Sequence, residues 1–484
     1  MTDAPRIRIR EIELYERPVV LRLPFKFGVV TLRECPQAFV RVRIETADGQ
    51  STWGAAAEMM APKWFDKNLA LSNDDNFDQL RGALRIARDA YLAGGGAATA
   101  FGHFAHHYDE TLQAGAAQGY NPLLASYGPA LVDRAIFDVL CRTRQVSFYD
   151  AMRGNLAGIV SERAEFAGLD IDSFLSQLQP AASIEARHTV GMLDAITPAD
   201  LHERVNDGLP ETLQDVIAIW GHRYFKLKVG GNIASDIARL EAIASVLDQL
   251  QAPYYASLDG NEQYADAAGV AELVAAIRAR PSLKRLWSSI LFIEQPIARK
   301  VALDVDLRAA PLGKPVIIDE SDGELNTFVQ ARARGYSGVS SKTCKGFYKS
   351  VLNAARCAQW NAQPGSQAVS PEGALRYFMS AEDLTTQAGL SVQQDLALVN
   401  LLGITHVERN GHYYVNGMAA QPASEQQAFL LAHGDVYERS HGAVRLKIQD
   451  GRIALGSLAC AGFASAAMPD FSAMTPLFSA AARA

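Results

Sequence analysis

Five charged residues stand where apolar runs of the chain stop. Lys228 stands in YFKLKVGGN, Asp259 follows the run that ends at Leu258 and Glu294 follows ILFI; Asp319 follows VII, with Glu320 next to it, and Lys342 follows GVSS. Lys226 precedes Lys228 by two residues, so in a strand both lie on one face with Tyr224, while Phe225, Leu227 and Val229 take the other. Two ammonium groups on an enclosed face are costly unless negative charge meets them. Asp259, Glu294 and Asp319, flanked by lysines on both sides, supply that charge.

Oxygen-only ligands point to a hard cation, Mg²⁺ first, with Mn²⁺ as a substitute. Neighbouring ammoniums repel, each loses its proton more easily, and one of them becomes usable as a base near neutral pH. The matching chemistry is removal of a proton beside a carboxylate. A divalent cation stabilises the dianionic enediolate as it forms, one amine takes the proton, and an amine on the opposite face returns one or steadies the intermediate.

The elements that must position these residues follow a strand–loop–helix rhythm. IEARHTV reads as a strand, and Thr197-Pro198 as a helix start with an N-cap and an N1 proline. The lysine strand comes next, then a helix with Ile233, Ile237, Leu240, Ile243 and Leu250 at helical spacing. Further strands are read at ILFI, VII, GVSS and LRYFM, with helices around Val270–Arg278 and from Leu325. Alternating units of this length imply a parallel sheet, open or closed into a barrel. In a closed barrel the C-terminal strand ends converge on one mouth.

Before this region, FVRVRIETADGQSTWG reads as an alternating strand with a turn at Asp48-Gly49, and ALVDRAIFDVLCRTRQ as a helix. Residues 156–183 read as a polar connector. After about residue 410 short strands return at HYYV and GAVRLKIQDGRIAL, ahead of a loosely held Ala/Ser-rich tail. The expected division is a capping α+β part with connector over 1–183, a barrel over 184–410, and a segment over 411–484 packed on or extending the cap.

The chain has 484 residues, net charge −7, and no cluster of basic residues, which argues against nucleic acid and anionic membranes as partners. No secretion signal and no bilayer-length apolar run is read, and five cysteines lack CxxC spacing. The expectation is a cytoplasmic enzyme with a small carboxylate substrate, assembled as a homo-oligomer.

Other residues carry blander readings. Strand alternation sends only one of Asp319 and Glu320 inward, with Asp319 the ligand and Glu320 its reserve. Lys345 reads as a helix-start or surface lysine. His103, His106 and His107 read as a solvated helix face, His406 and His412 as residues near the last strand, and Gly230-Gly231 as a tight turn.

KLK, LDGN, IEQP, IIDES and SSK, in this order, resemble the muconate lactonizing enzyme subgroup of the enolase superfamily. LPFKFG resembles that family's substrate-covering loop, and ALVDRAIFDVL its cap helix. The resemblance implies an α/β chain with a modified (β/α)7β TIM-type barrel under an α+β capping domain. It implies Mg²⁺ on Asp259, Glu294 and Asp319, Lys228 as base, Lys226 as its electrostatic neighbour and Lys342 as acid/base on the other face. Racemisation or epimerisation of a small acid is the leading expectation. Cycloisomerisation or dehydration is the alternative, and a metal-independent Schiff-base lyase or a non-catalytic binder is a more distant one. Two departures stand out. The family's Gly-x-Gly-Glu is replaced by WGAAAE, with Glu58 late, and GITHVERNG lacks the Asp-x-Asp with which dipeptide epimerases hold a substrate amine.

Overall fold

The computed structural model describes residues 4–160, 163–364 and 376–478. Strands β1 (Ile7–Phe27), β2 (Val30–Thr46) and β3 (Ser51–Met59) form an antiparallel sheet in chain order. Gly28 and Gly49, at φ +48° and +80°, allow the tight turns between them. Val40, Val42 and Ile44 alternate onto a buried face. The helix Tyr127–Arg144 packs close to β3, because a Cβ on Gly54 would sit 2.3 Å from the Val139 nitrogen.

Eight parallel strands follow, each adjacent to the next. They are β4 (Ser183–Val190), β5 (Tyr224–Lys228), β6 (Tyr255–Asp259), β7 (Ile290–Glu294), β8 (Val316–Ile318), β9 (Gly338–Ser341), β10 (Phe378–Ala381) and β11 (His406–Glu408). β11 pairs back with β4, so among the described residues the sheet closes into an eight-stranded parallel barrel. Helices lie between successive strands, giving the (β/α)7β arrangement. The helix Ile233–Leu247 shows how the pattern works. Asn232 caps its first turn by accepting from the Ser235 amide, and Ile237, Leu240, Ile243 and Leu247 bury against the strands.

A hairpin of β12 (Tyr437–Ser440) and β13 (Ala443–Leu446) follows the barrel. Then β14 (Arg452–Ala454) adds antiparallel to the N-terminal end of β4, and β15 (Thr475–Pro476) adds to β1. The last stretch thus touches both sheets. Among the described residues no helix is long and apolar enough to cross a membrane, and all five cysteines are free.

Several local expectations are corrected. HYYV is not a strand: Gly411–Tyr414 is a helical turn whose Tyr413 and Tyr414 are buried. Thr197-Pro198 opens only a 3₁₀ turn over Pro198–Asp200, and the helix begins at Leu213 behind a Thr212 cap. The connector contains a short helix, Ile171–Ser176, capped by Asp170. The LRYFM reading begins at Leu375, outside the described residues, and β10 starts at Phe378. The last six residues of the tail also lie outside them.

Candidate active site

The strand ends converge as a barrel requires. Lys228 and Asp259 are register partners across β5 and β6, and Asp259 and Glu294 are partners across β6 and β7. Lys228 Nζ donates to Asp259 Oδ2 at 2.5 Å and to Asn261 Oδ1 at 2.8 Å. Asn261 therefore belongs to the site; its amide nitrogen also donates to Glu320 Oε1 at 3.1 Å.

Lys226, two residues earlier, sits deeper. Its Nζ lies 2.9 Å from Asp259, 2.8 Å from Glu294, 2.7 Å from Glu382 and 3.1 Å from Glu408. The expected easing of deprotonation by lysine–lysine repulsion does not hold for Lys226. Burial works against its charge, but the four carboxylates outweigh burial and hold it well above the ordinary lysine range.

Asp319 and Glu320 follow β8 in a turn, where strand alternation no longer applies, and both are buried. Gln295 fixes this turn by accepting from the Asp319 and Ser321 amides at 2.8 and 3.0 Å. Lys342 Nζ donates to Asp319 Oδ2 at 2.7 Å and lies 4.2 Å from the Trp64 ring centroid. Burial opposes the Lys342 charge, yet Asp319 raises its pKa above the usual lysine value. Lys345 is not a surface residue: it is buried, donates to the Asp319 carbonyl at 2.8 Å and lies 2.9 Å from Asp319 Oδ1.

Sequence reading missed Glu382, Asp383 and Glu408. The rule that found the others would have found them, since Glu382-Asp383 follow β10 and Glu408 ends β11. Arg187, fully buried on β4, donates to Glu382 and to the Ala381 carbonyl. Thr189 donates to Glu408.

The antiparallel part roofs the mouth. Phe25, Phe27, Ala61 and Trp64 line a cavity of about 20 Å³ together with both lysines of β5, Lys342 and Leu384. Arg299 pins this roof by donating to the Trp64 and Phe65 carbonyls at 2.7 and 3.0 Å while paired with Glu262. Lys67 reaches Glu262 from the roof side at 2.8 Å. Glu58 is buried against Arg134 and accepts from Thr343 Oγ1 at 2.9 Å, one residue beyond Lys342. Its burial pushes its carboxyl up to about 7.

The donor set fits a divalent cation. Burial, with Asp259 and Glu382 close by, pushes Glu294 well above the carboxylate range, as in a site short of positive charge. Glu320 Oε2 is buried with no hydrogen-bond partner among the described residues.

The reading of the N-terminal histidines changes, whereas His406 and His412 stand near the last strand as expected. His103 and His107 are buried, with His103 Nε2 bonded to the Ile7 carbonyl, so they form no solvated face. His406 starts β11, at the end of the barrel away from the mouth, where it meets Arg187 and stacks on Tyr224. His412 lies outside the mouth beside His188 and His222.

No family model and no curated protein matches the sequence. Solved structures do match in fold. A member of the enolase superfamily from Roseovarius nubinhibens, complexed with magnesium, aligns at TM-score 0.55 and 16% identity over 97% of this chain and 98% of that chain. A dipeptide epimerase from Enterococcus faecalis, complexed with Mg and the dipeptide L-Leu-L-Tyr, aligns at TM-score 0.58 and 14% identity over 94% and 99%. A mandelate racemase/muconate lactonizing enzyme from Roseovarius nubinhibens aligns at TM-score 0.56 and 16% identity over 97% and 98%. The chain therefore shares the fold of enolase superfamily structures.

Proposed function

We propose that this protein is an enzyme that abstracts the α-proton of a small carboxylate substrate in a Mg²⁺-dependent reaction, with racemisation or epimerisation as the leading outcome. The observation that carries the reading is the placement of two lysines. Lys228 on β5 and Lys342 after β9 are four strands apart in a ring of eight, so they flank the carboxylates Asp259, Glu294 and Asp319 from opposite sides. The matching structures that hold magnesium support the same metal here.

Asp259, Glu294 and Asp319 would hold Mg²⁺, with Glu320 in reserve; when bound, the ion supplies electrostatic stabilisation of the enediolate. Lys228, oriented by Asp259 and Asn261, takes the α-proton. Lys342, kept charged by Asp319, presents a proton to the opposite face of the substrate. Lys226 neutralises the floor of the site and is enclosed by carboxylates. The roof residues Phe25, Phe27 and Trp64 exclude water.

One observation favours a second reading, cycloisomerisation or dehydration. Lys342 is held as a persistent cation against the Trp64 face, which suits a fixed electrostatic partner and leaves Lys228 as the one proton-transfer group. Charged Lys342 is a poor Schiff-base nucleophile, which disfavours covalent amine catalysis at that lysine. Deuterium exchange from D₂O into a panel of carboxylic acids tests the proposal. Exchange that needs Mg²⁺ and Lys228 supports it, and dependence on Lys342 for exchange with inversion separates racemisation from one-base chemistry.

A further inference from the structure

Outside the mouth, three imidazoles converge in the barrel wall. His188 lies on β4 between Arg187 and Thr189, whose side chains reach the barrel interior, so His188 points outward. His222 lies just before β5, and His412 lies in the helical turn after β11. All three are buried, and one ring nitrogen from each falls within 4.8 Å of the others.

We propose that His188, His222 and His412 form a second metal site that takes a borderline transition cation such as Zn²⁺ and pins the seam where the barrel closes. The ring geometry is near that of a metal-bound triad. Centroids are separated by 5.4, 5.7 and 6.1 Å. Tetrahedral ligation at 2.0–2.1 Å per nitrogen places centroids roughly 5 Å apart, so small rotations close the set. The hydrogen bonding is also that of a ligand set. His222 Nδ1 donates to the Ala186 carbonyl at 2.8 Å, which leaves the lone pair of Nε2 facing inward. Among the described residues, that Nε2, His188 Nδ1 and both ring nitrogens of His412 are buried without any hydrogen-bond partner. Leaving such groups bare is costly, and a cation satisfies three of them at once. Burial holds all three imidazoles neutral, the form that ligates.

The surrounding charges are mixed. Glu408 favours positive charge at His188, whereas Arg409 and Arg445 oppose it at His412. Arg409 is itself paired with Asp395, and Arg445 donates to the His412 carbonyl. Such a site rejects a hard ion like Mg²⁺ and relies on the preference of imidazole for Zn²⁺, Co²⁺ or Ni²⁺. Its position gives it a role. It ties the first barrel strand, the entry to the second and the segment after the last, next to Glu408 and Asn410 at the mouth.

The test is Co²⁺ and Zn²⁺ titration of the full chain, read by visible absorption, X-ray absorption and thermal unfolding. With excess Mg²⁺ present to occupy the carboxylate site, the expected result is one equivalent of Co²⁺ with intense tetrahedral bands and a nitrogen-rich shell showing imidazole scattering. Zn²⁺ should raise the unfolding temperature, and equal Mg²⁺ should not displace the Co²⁺ bands. The bands should persist in an Asp259→Asn/Glu294→Gln double variant and vanish in His222→Gln and in His412→Gln. No bound transition metal, an oxygen-only shell in the unmodified chain, or bands lost with the double variant would overturn the proposal. The X-ray absorption measurement decides the matter even where the histidine variants fail to fold.

Discussion

Lys228 and Asp259 face each other across adjacent parallel strands, and their side chains meet at 2.5 Å. The pairing couples the proposed base to a proposed metal ligand. Asp259 is drawn to two lysines at once, and Lys226 and Lys228 together hold its carboxyl below the usual range despite full burial. A cation at Asp259 would therefore compete with Lys228 for the same carboxylate, so metal binding and the state of the base are expected to be linked.

Lys226 stands in for missing positive charge among four buried carboxylates. Replacing it as Lys226→Met removes that charge and should cost about 3–5 kcal/mol in metal-free buffer. Mg²⁺ should then raise the unfolding temperature more in the variant than in the unmodified chain. Equal Mg²⁺-induced shifts in the two proteins would contradict a shared electrostatic site.

Glu58 links stability to pH. Its carboxyl, ordinarily near 4.5, is raised to about 7 by burial. The folded protein therefore holds a proton that the unfolded chain releases near 4.5. This contribution is full below that value and is lost as pH rises through about 7. The penalty reaches the order of 3 kcal/mol. Glu58→Gln should flatten that slope in unfolding temperature measured from pH 5 to 8, and an unchanged slope would assign it elsewhere.

Arg299 holds the roof by the carbonyls of Trp64 and Phe65. Arg299→Ala should loosen Trp64 over Lys342 and lower kcat/KM by roughly 10–100-fold, a loss of about 1.4–2.8 kcal/mol in transition-state stabilisation. Steady-state kinetics on the substrate found by exchange would check this, with a change under twofold counting against a roof role.

Much of the site is legible because a parallel barrel sends every strand end to one place. A charge that stops an apolar run is therefore a positional signal, and Lys228, Asp259, Glu294, Asp319 and Lys342 carry it. Glu408 carries the same signal, but β11 is three residues long and its apolar run is too brief to stand out. Lys345 was misread because its burial comes from the Asp319 turn, a contact between separate loops that no local pattern encodes. The histidine cluster is similarly invisible, since His188, His222 and His412 meet only when the first strand closes against the last. Gly411–Tyr414 looks like a strand by composition, yet its tyrosines are buried and the turn packs on β1, so tertiary packing prevails over propensity.

The most direct measurement of the central claim is deuterium incorporation from D₂O into carboxylic acids, read by mass spectrometry with Mg²⁺, with EDTA and with two variants. Mg²⁺-dependent exchange should fall by roughly 10²–10⁴-fold in Lys228→Ala, the range of a lost general base. A matching fall in Lys342→Ala would select two-base racemisation, and retained exchange there would select the one-base alternative. Exchange that survives both EDTA and Lys228→Ala would contradict the account.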